Sequence, residues 1–179
     1  MLSYTTEYRG RVYYPGAVFK TNRFGDITIV GRALGTTQRF LVEFADTGFR
    51  KFVSNSSIIK GEIRDPLAPA VCGVGFEGDG EFSKKTHKRM YELWRSMLDR
   101  CYSGREARES YSNVAVDSSW YNLQTFCIDI QTLEGFSSWN SGKRYELDKD
   151  IIGDSTLYSR DTCKFLYITD NRSAIGINK

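Results

Sequence analysis

The chain is interrupted once, about a third of the way along. Asp65-Pro66-Leu67-Ala68-Pro69 contains two of the three prolines in the 179 residues. Cys72-Gly73-Val74-Gly75-Phe76-Glu77-Gly78-Asp79-Gly80 follows with four of the sixteen glycines. Proline removes a backbone donor and fixes φ, and glycine costs the most entropy to order, so no regular element runs through such a stretch. Residues 64–82 therefore read as an extended linker between two folding units, residues 1–63 and 83–179. Gly73-x-Gly75-x-x-Gly78 has the spacing of a dinucleotide fingerprint. That motif needs a strand before it and a helix opening inside it, whereas here prolines precede it and Asp79-Gly80 interrupts any helix start. These glycines are read as tight turns.

The first unit has the pattern of a small all-β fold. Phe40, Val42 and Phe44 alternate with Leu41 and Glu43, the period of a strand with one buried face. Ala45-Asp46-Thr47-Gly48 is a turn signal, and Phe49-Arg50-Lys51-Phe52-Val53 returns as the partner. Asp26-Ile27-Thr28-Ile29-Val30 is β-branched and follows a turn at Asn22-Arg23-Phe24-Gly25. Further strands are expected around Val12-Tyr13-Tyr14 and Ala17-Val18-Phe19, with Ser57-Ile58-Ile59-Lys60 closing the set. Four or five short strands at this spacing predict an SH3-like barrel.

The second unit alternates helical and strand signals, an α+β pattern. Met90, Trp94, Met97 and Cys101 fall at helical spacing, predicting a helix capped by Ser83 or Thr86 and running to about Tyr102. Trp120, Leu123, Phe126, Cys127 and Ile130 form the stripe of a second helix over residues 119–132, stopped by Gly135. Residues 144–152 read as a strand. Its period of two would place Glu146, Asp148 and Asp150 on one face and Leu147, Lys149 and Ile151 on the other. Three carboxylates on one face could hold Mg²⁺ or form a solvated acidic edge.

Charge separates these segments. The net charge of +3 conceals a run over residues 84–108 with eight basic and three acidic groups, while residues 109–179 carry seven and ten. Lys84, Lys85, Lys88, Arg89 and Arg95 lie mostly off the apolar stripe, where phosphate contacts would need them, and Lys143 and Arg144 make a second basic pair. A hydrophobic content of 40% and a mean hydropathy of −0.44 describe a globular chain. No stretch has the ~18–20 apolar residues of a membrane helix. Residues 1–7 lack the basic flank and apolar run of a signal peptide, so a cytoplasmic location is expected. Cys72, Cys101, Cys127 and Cys163 form no CxxC pair, so they read as small buried hydrophobes rather than zinc ligands or disulfides.

One ordered set of residues resembles a known family. It runs Tyr91-x-x-Trp94-x-x-Met97-Leu98-x-Arg100-Cys101-Tyr102, then Tyr111, Val114, Val116, Trp120 and Phe126. Leu147-Asp148-Lys149-Asp150, Tyr158-Ser159-x-Asp161-Thr162-Cys163-x-Phe165 and Asn171 follow. Together these resemble small phage proteins described as HNH-like or homing-endonuclease-like, over roughly residues 73–171. Gly16-x-x-Phe19-x-Thr21-x-x-x-Gly25-Asp26 and Phe44-x-Asp46-Thr47-Gly48 resemble a domain often found ahead of them. The resemblance implies a ββα metal finger at the end of the α+β domain, with Asp148 and Asn171 on the metal side and Mg²⁺ as the ion. Lys149 stands where that family has its catalytic histidine, and Thr162 stands near its central asparagine. A general base needs a pKa near the working pH, which lysine beside two carboxylates lacks. His87, the only histidine, lies far off in sequence.

The expected function is that of a phage nucleic-acid-binding protein on a degenerate, catalytically impaired HNH-like domain. DNA is favoured over RNA. Two alternatives stay open: an active Mg²⁺-dependent endonuclease using Asp148 and Asn171, and an accessory protein that binds and inhibits a host protein.

Overall fold

The computed structural model describes residues 4–35, 39–104, 113–152 and 155–169. It divides into two units, Met1–Ala68 and Pro69–Lys179. In the first, β1 (Thr6–Tyr8) and β2 (Arg11–Tyr13) form a hairpin. Strands β3 (Val18–Lys20), β4 (Asp26–Arg32), β5 (Arg39–Phe44) and β6 (Arg50–Ser54) make an antiparallel sheet in that order. The alternation in β5 explains the register. Phe44 pairs with Ile27, Val42 with Ile29 and Phe40 with Val53, and all six point into one core with Tyr13 and Ile58. Tyr13 stacks on Phe40 with ring centroids 4.8 Å apart. Fully burying a side chain such as that of Phe40 contributes about 1.5–3 kcal/mol.

Two expectations for this unit change. The described strands pair as a two-stranded and a four-stranded sheet, and no pairing joins β3 to β6 into a closed barrel. Residues 57–60 are not a strand but the end of α1 (Asn55–Lys60). The Ser54 hydroxyl accepts the Ser57 N–H at the helix start, Gly61 closes the end in a left-handed conformation, and Ile58 turns into the core while Ile59 stays half-buried.

The second unit has the mixed α and β content that its sequence pattern implies. Its elements are α2 (Lys88–Tyr102), β7 (Ala115–Val116), a 3-10 turn (Ser118–Tyr121), α3 (Leu123–Ile130), α4 (Phe136–Asn140), β8 (Tyr145–Asp148), β9 (Leu157–Tyr158) and β10 (Lys164–Tyr167). Strands β8 and β10 are antiparallel, and β7 and β9 are parallel. Met90, Trp94, Met97 and Leu98 of α2 pack with Trp120, Leu123, Phe126, Cys127 and Ile130. The two buried indoles are satisfied in series: Trp94 Nε1 donates to the Trp120 carbonyl and Trp120 Nε1 to Asp129, each at 2.8 Å.

The expected helix over residues 119–132 is broken at Asn122, whose side chain accepts the Gln124 N–H and so caps α3. Gly135 does not stop that helix. It opens α4 with φ +80°, and a Cβ there would overlap the Phe165 carbonyl. Helix α2 starts at Lys88 rather than at Ser83 or Thr86, which close a separate turn before it.

Residues 64–82 are not an extended connector throughout. Asp65 is buried and accepts hydrogen bonds from the Thr47 hydroxyl and the Leu67 N–H, within the first unit. From Pro69 the chain belongs to the second unit. Phe76 and Tyr121 share a backbone hydrogen bond, and Phe82 enters the core. The Gln124 amide donates to the carbonyls of Glu77 and Phe82 and accepts the Phe82 N–H. Gly75 lies against α2, where a Cβ would overlap Leu98 and stand 2.9 Å from Trp94. This segment is glycine-rich where its backbone packs closely, as at Gly75, while Val71, Cys72, Val74 and Phe82 pack by their side chains. Among the described residues no helix is long and apolar enough to cross a membrane.

Candidate functional site

The basic surface is built at the start of α2. Ser83 and Thr86 exchange hydrogen bonds, each side-chain oxygen accepting the other's N–H, at 3.2 and 3.1 Å. Lys84 and Lys85 sit at the exposed tip of this turn. His87 follows at the N-cap position, its ring against Phe82 and its Nδ1 3.0 Å from the Thr86 hydroxyl. The apolar stripe of α2 faces the core, so Lys88, Arg89 and Arg95 are exposed. Lys88 reaches Glu92 at 3.7 Å, a solvent-exposed pair of small energetic consequence. No acidic residue lies in the first turn, so the positive end of the helix dipole adds to the lysines.

Arg89 links this surface to a distant part of the sequence. Its guanidinium lies over the Trp139 ring, 4.5 Å from the centroid. A Cβ on Gly142 would stand 3.8 Å from Arg89 Nη1. The turn Gly142-Lys143-Arg144 therefore runs beside the first turn of α2, and both its basic side chains are exposed. Lys84 approaches Tyr91 on the opposite flank of the helix, at 6.0 Å. Arg95 is seven residues beyond Lys88, about 10 Å along the axis. Of the seven basic residues expected to contact nucleic acid, Lys84, Lys85, Lys88 and Arg89 lie at or just before the start of α2, Lys143 and Arg144 follow the glycine that stands beside Arg89, and Arg95 lies further along.

The second cluster follows β8, and it corrects the strand expected over residues 144–152. The strand ends at Asp148, whose Oδ1 accepts the N–H groups of Asp150 and Ile151 at 3.0 and 3.2 Å. That turn breaks the period of two. Asp148 and Lys149 are both buried, at 4% and 7% exposure, while Glu146 and Asp150 face solvent. The three carboxylates do not share a face. Burial is the main cause that pushes the Asp148 carboxyl above the usual carboxylate range, with the Asp150 charge adding to it. The two N–H bonds and the Lys149 ammonium oppose the shift. Lys149 Nζ contacts the Asp150 carboxylate and lies 5.6 Å from the centre of the Tyr158 ring. Arg100 Cζ lies 5.8 Å from the same ring. Burial also pushes the neighbouring Cys163 thiol up to about 11, an inert side chain at neutral pH.

These residues do not fit the implied Mg²⁺ ion. Asp148 Oδ1 is committed to two backbone donors, and an ammonium stands beside it. Among the described residues no three His, Cys, Asp or Glu side chains come within reach of one ion. Asn171, the other expected metal-side residue, lies outside the described residues. Thr162 closes a turn of its own, donating to the Leu157 carbonyl at 2.7 Å.

Two features of this region escape a reading by period. Gly142 beside Arg89 left no pattern to find. The Ser159–Thr162 turn did leave one, because aromatic-Ser-basic-x-Thr occurs both at Phe82-Ser83-Lys84-Lys85-Thr86 and at Tyr158-Ser159-Arg160-Asp161-Thr162. No protein-family model, curated protein or solved structure matches this chain.

Proposed function

We propose that the protein binds duplex DNA through the basic surface at the start of α2 and does not cleave it. The observation that carries this reading is Arg89 over Trp139 and beside Gly142, which brings the backbone just ahead of Lys143 and Arg144 to the first turn of α2. In this reading lysines and arginines from two separate segments meet one polyanion. Binding by phosphate contact alone is independent of sequence and strongly dependent on salt.

The resemblance to HNH-like phage proteins is compatible with this reading. In this reading the antiparallel pair β8 and β10 stands for the two strands of a ββα finger, with Asp148 at the end of the first. The small sheet of the first unit takes the place of the SH3-like domain. In this reading the protein acts in the cytoplasm of a phage-infected cell. Lys149, in the position of the catalytic histidine, is a buried ammonium paired with Asp150 and offers no general base.

The test is a supercoiled-plasmid experiment with Mg²⁺ and Mn²⁺, scored for both binding and cleavage. Retarded but uncut plasmid is expected. Mg²⁺-dependent nicking abolished by Asp148→Ala would replace this reading with the endonuclease.

A further inference from the structure

The turn that carries Lys84 and Lys85 has a counterpart elsewhere in the second unit. Between Leu157 and Cys163 the backbone repeats the hydrogen bonds found between Glu81 and His87. The serine N–H donates to the threonine hydroxyl, at 3.1 Å for Ser83 and 3.0 Å for Ser159. The threonine N–H donates to the serine hydroxyl at 3.2 Å in both. The two hydroxyls are 2.9 Å apart in both. The threonine hydroxyl donates to the carbonyl two residues before the serine, Glu81 at 2.9 Å and Leu157 at 2.7 Å. The residue after the threonine donates to the serine carbonyl, His87 at 2.8 Å and Cys163 at 3.1 Å. Each turn is rooted by a buried aromatic, Phe82 or Tyr158, and each leaves its two tip residues exposed. Arg160 occupies the tip position that Lys84 occupies in the first turn.

The two turns stand at opposite ends of α2. The first is joined to its start, since the His87 N–H bonds back to Ser83 and His87 precedes Lys88. The second is tied to its end twice over. Arg100, in the last turn of α2, lies over the Tyr158 ring. The Tyr102 hydroxyl accepts the Val116 N–H at 2.9 Å, and Val116 pairs with Tyr158 between β7 and β9. From Lys88 to Arg100 the helix rises about 18 Å. Between the ends its exposed face is nearly neutral, with Glu92 paired to Lys88 and Asp99 near Arg95 in register.

We propose that Arg160 is a second phosphate-binding point, so that the protein holds duplex DNA at both ends of α2. This rests on the DNA-binding reading above and deepens it. A rigid turn suits this task because the tip is fixed before binding, which lowers the cost of ordering a long cationic side chain.

The experiment compares wild type, Lys84→Glu/Lys85→Glu, Arg160→Glu and Arg160→Lys, all as the full chain. Each is titrated against a 20-base-pair duplex DNA and the matching duplex RNA across a salt series. Arg160→Glu should weaken DNA binding and reduce the slope of log affinity against log salt by about 0.9, the value of one phosphate contact. Arg160→Lys should keep the slope. Arg160 is exposed, and a melting curve for each variant separates lost contact from lost fold. If Lys84→Glu/Lys85→Glu weakens binding while Arg160→Glu leaves affinity and slope unchanged, the second contact is overturned and the DNA-binding reading stands. If wild type binds neither duplex, both fall. Tighter binding to the RNA duplex would overturn the assignment to DNA.

Discussion

Asp148 shows at the scale of one residue how a side chain can be costly to stability and still be kept. Its Oδ1 holds two backbone N–H groups, a role that the amide oxygen of asparagine fills equally well. The carboxyl differs only in its charge, which burial disfavours. A folded-state pKa raised above the unfolded value means that the folded chain holds the proton more tightly. The stability from that protonation is complete below the unfolded value, 3.8, and is lost as pH rises through the folded value. Asp148→Asn is therefore expected to melt higher than wild type at pH 7, with the gap closing as the pH falls towards 4. Asp148→Ala leaves two backbone donors without their acceptor and should cost about 1–3 kcal/mol at both pH values. Thermal melts of the three proteins across that range check both statements. An Asp148→Asn protein less stable than wild type at pH 7 would mean that attraction to Lys149 outweighs burial.

At the scale of elements, apolar period was readable and polar closure was not. The stripes that place Met90, Trp94 and Met97 in α2, and Phe40, Val42 and Phe44 in β5, repeat often enough to announce themselves. Residues 57–60 have an apolar pair that suits a strand, and only the Ser54 cap and Gly61 reveal a helix. Residues 149–152 continue a strand-like alternation, yet a single carboxylate capturing two N–H groups ends it. Such interactions are local, depend on one side chain each, and leave no periodic trace. Gln124 is another instance. It sits on the stripe-bearing α3 but holds residues 77–82 through three hydrogen bonds. Gln124→Leu keeps the size and removes those bonds, leaving buried backbone groups of Phe82 unpaired. A loss of about 2–4 kcal/mol is expected, read from urea denaturation. Proteolysis by a low-specificity protease should begin to cut within 77–82, where wild type resists.

For the whole molecule, the break near residue 65 was legible in the prolines, although its position and nature were not. Asp65 closes the first unit, and the glycine-rich segment forms part of the second rather than a tether. Residues 1–68 and 69–179, expressed separately, should each unfold in one cooperative transition, followed by circular dichroism. Fragments cut instead at residue 82 should leave the second unit without Phe82 and markedly less stable. The basic residues were legible as a composition bias. Their assembly was not, since nothing in the sequence relates Arg89 to Gly142, although the repeated aromatic-Ser-basic-x-Thr pattern does relate Lys84 to Arg160.

The central claim is that one cationic surface at the start of α2 binds the DNA backbone. Its most direct measurement is the salt dependence of affinity for a short duplex of arbitrary sequence, wild type against Lys84→Glu/Lys85→Glu. Each phosphate contact contributes about 0.9 to the slope of log affinity against log salt. Wild type should show a steep slope, and the double variant should bind more weakly with a slope shallower by about 1.8. Equal slopes and equal affinities for the two proteins would contradict the claim.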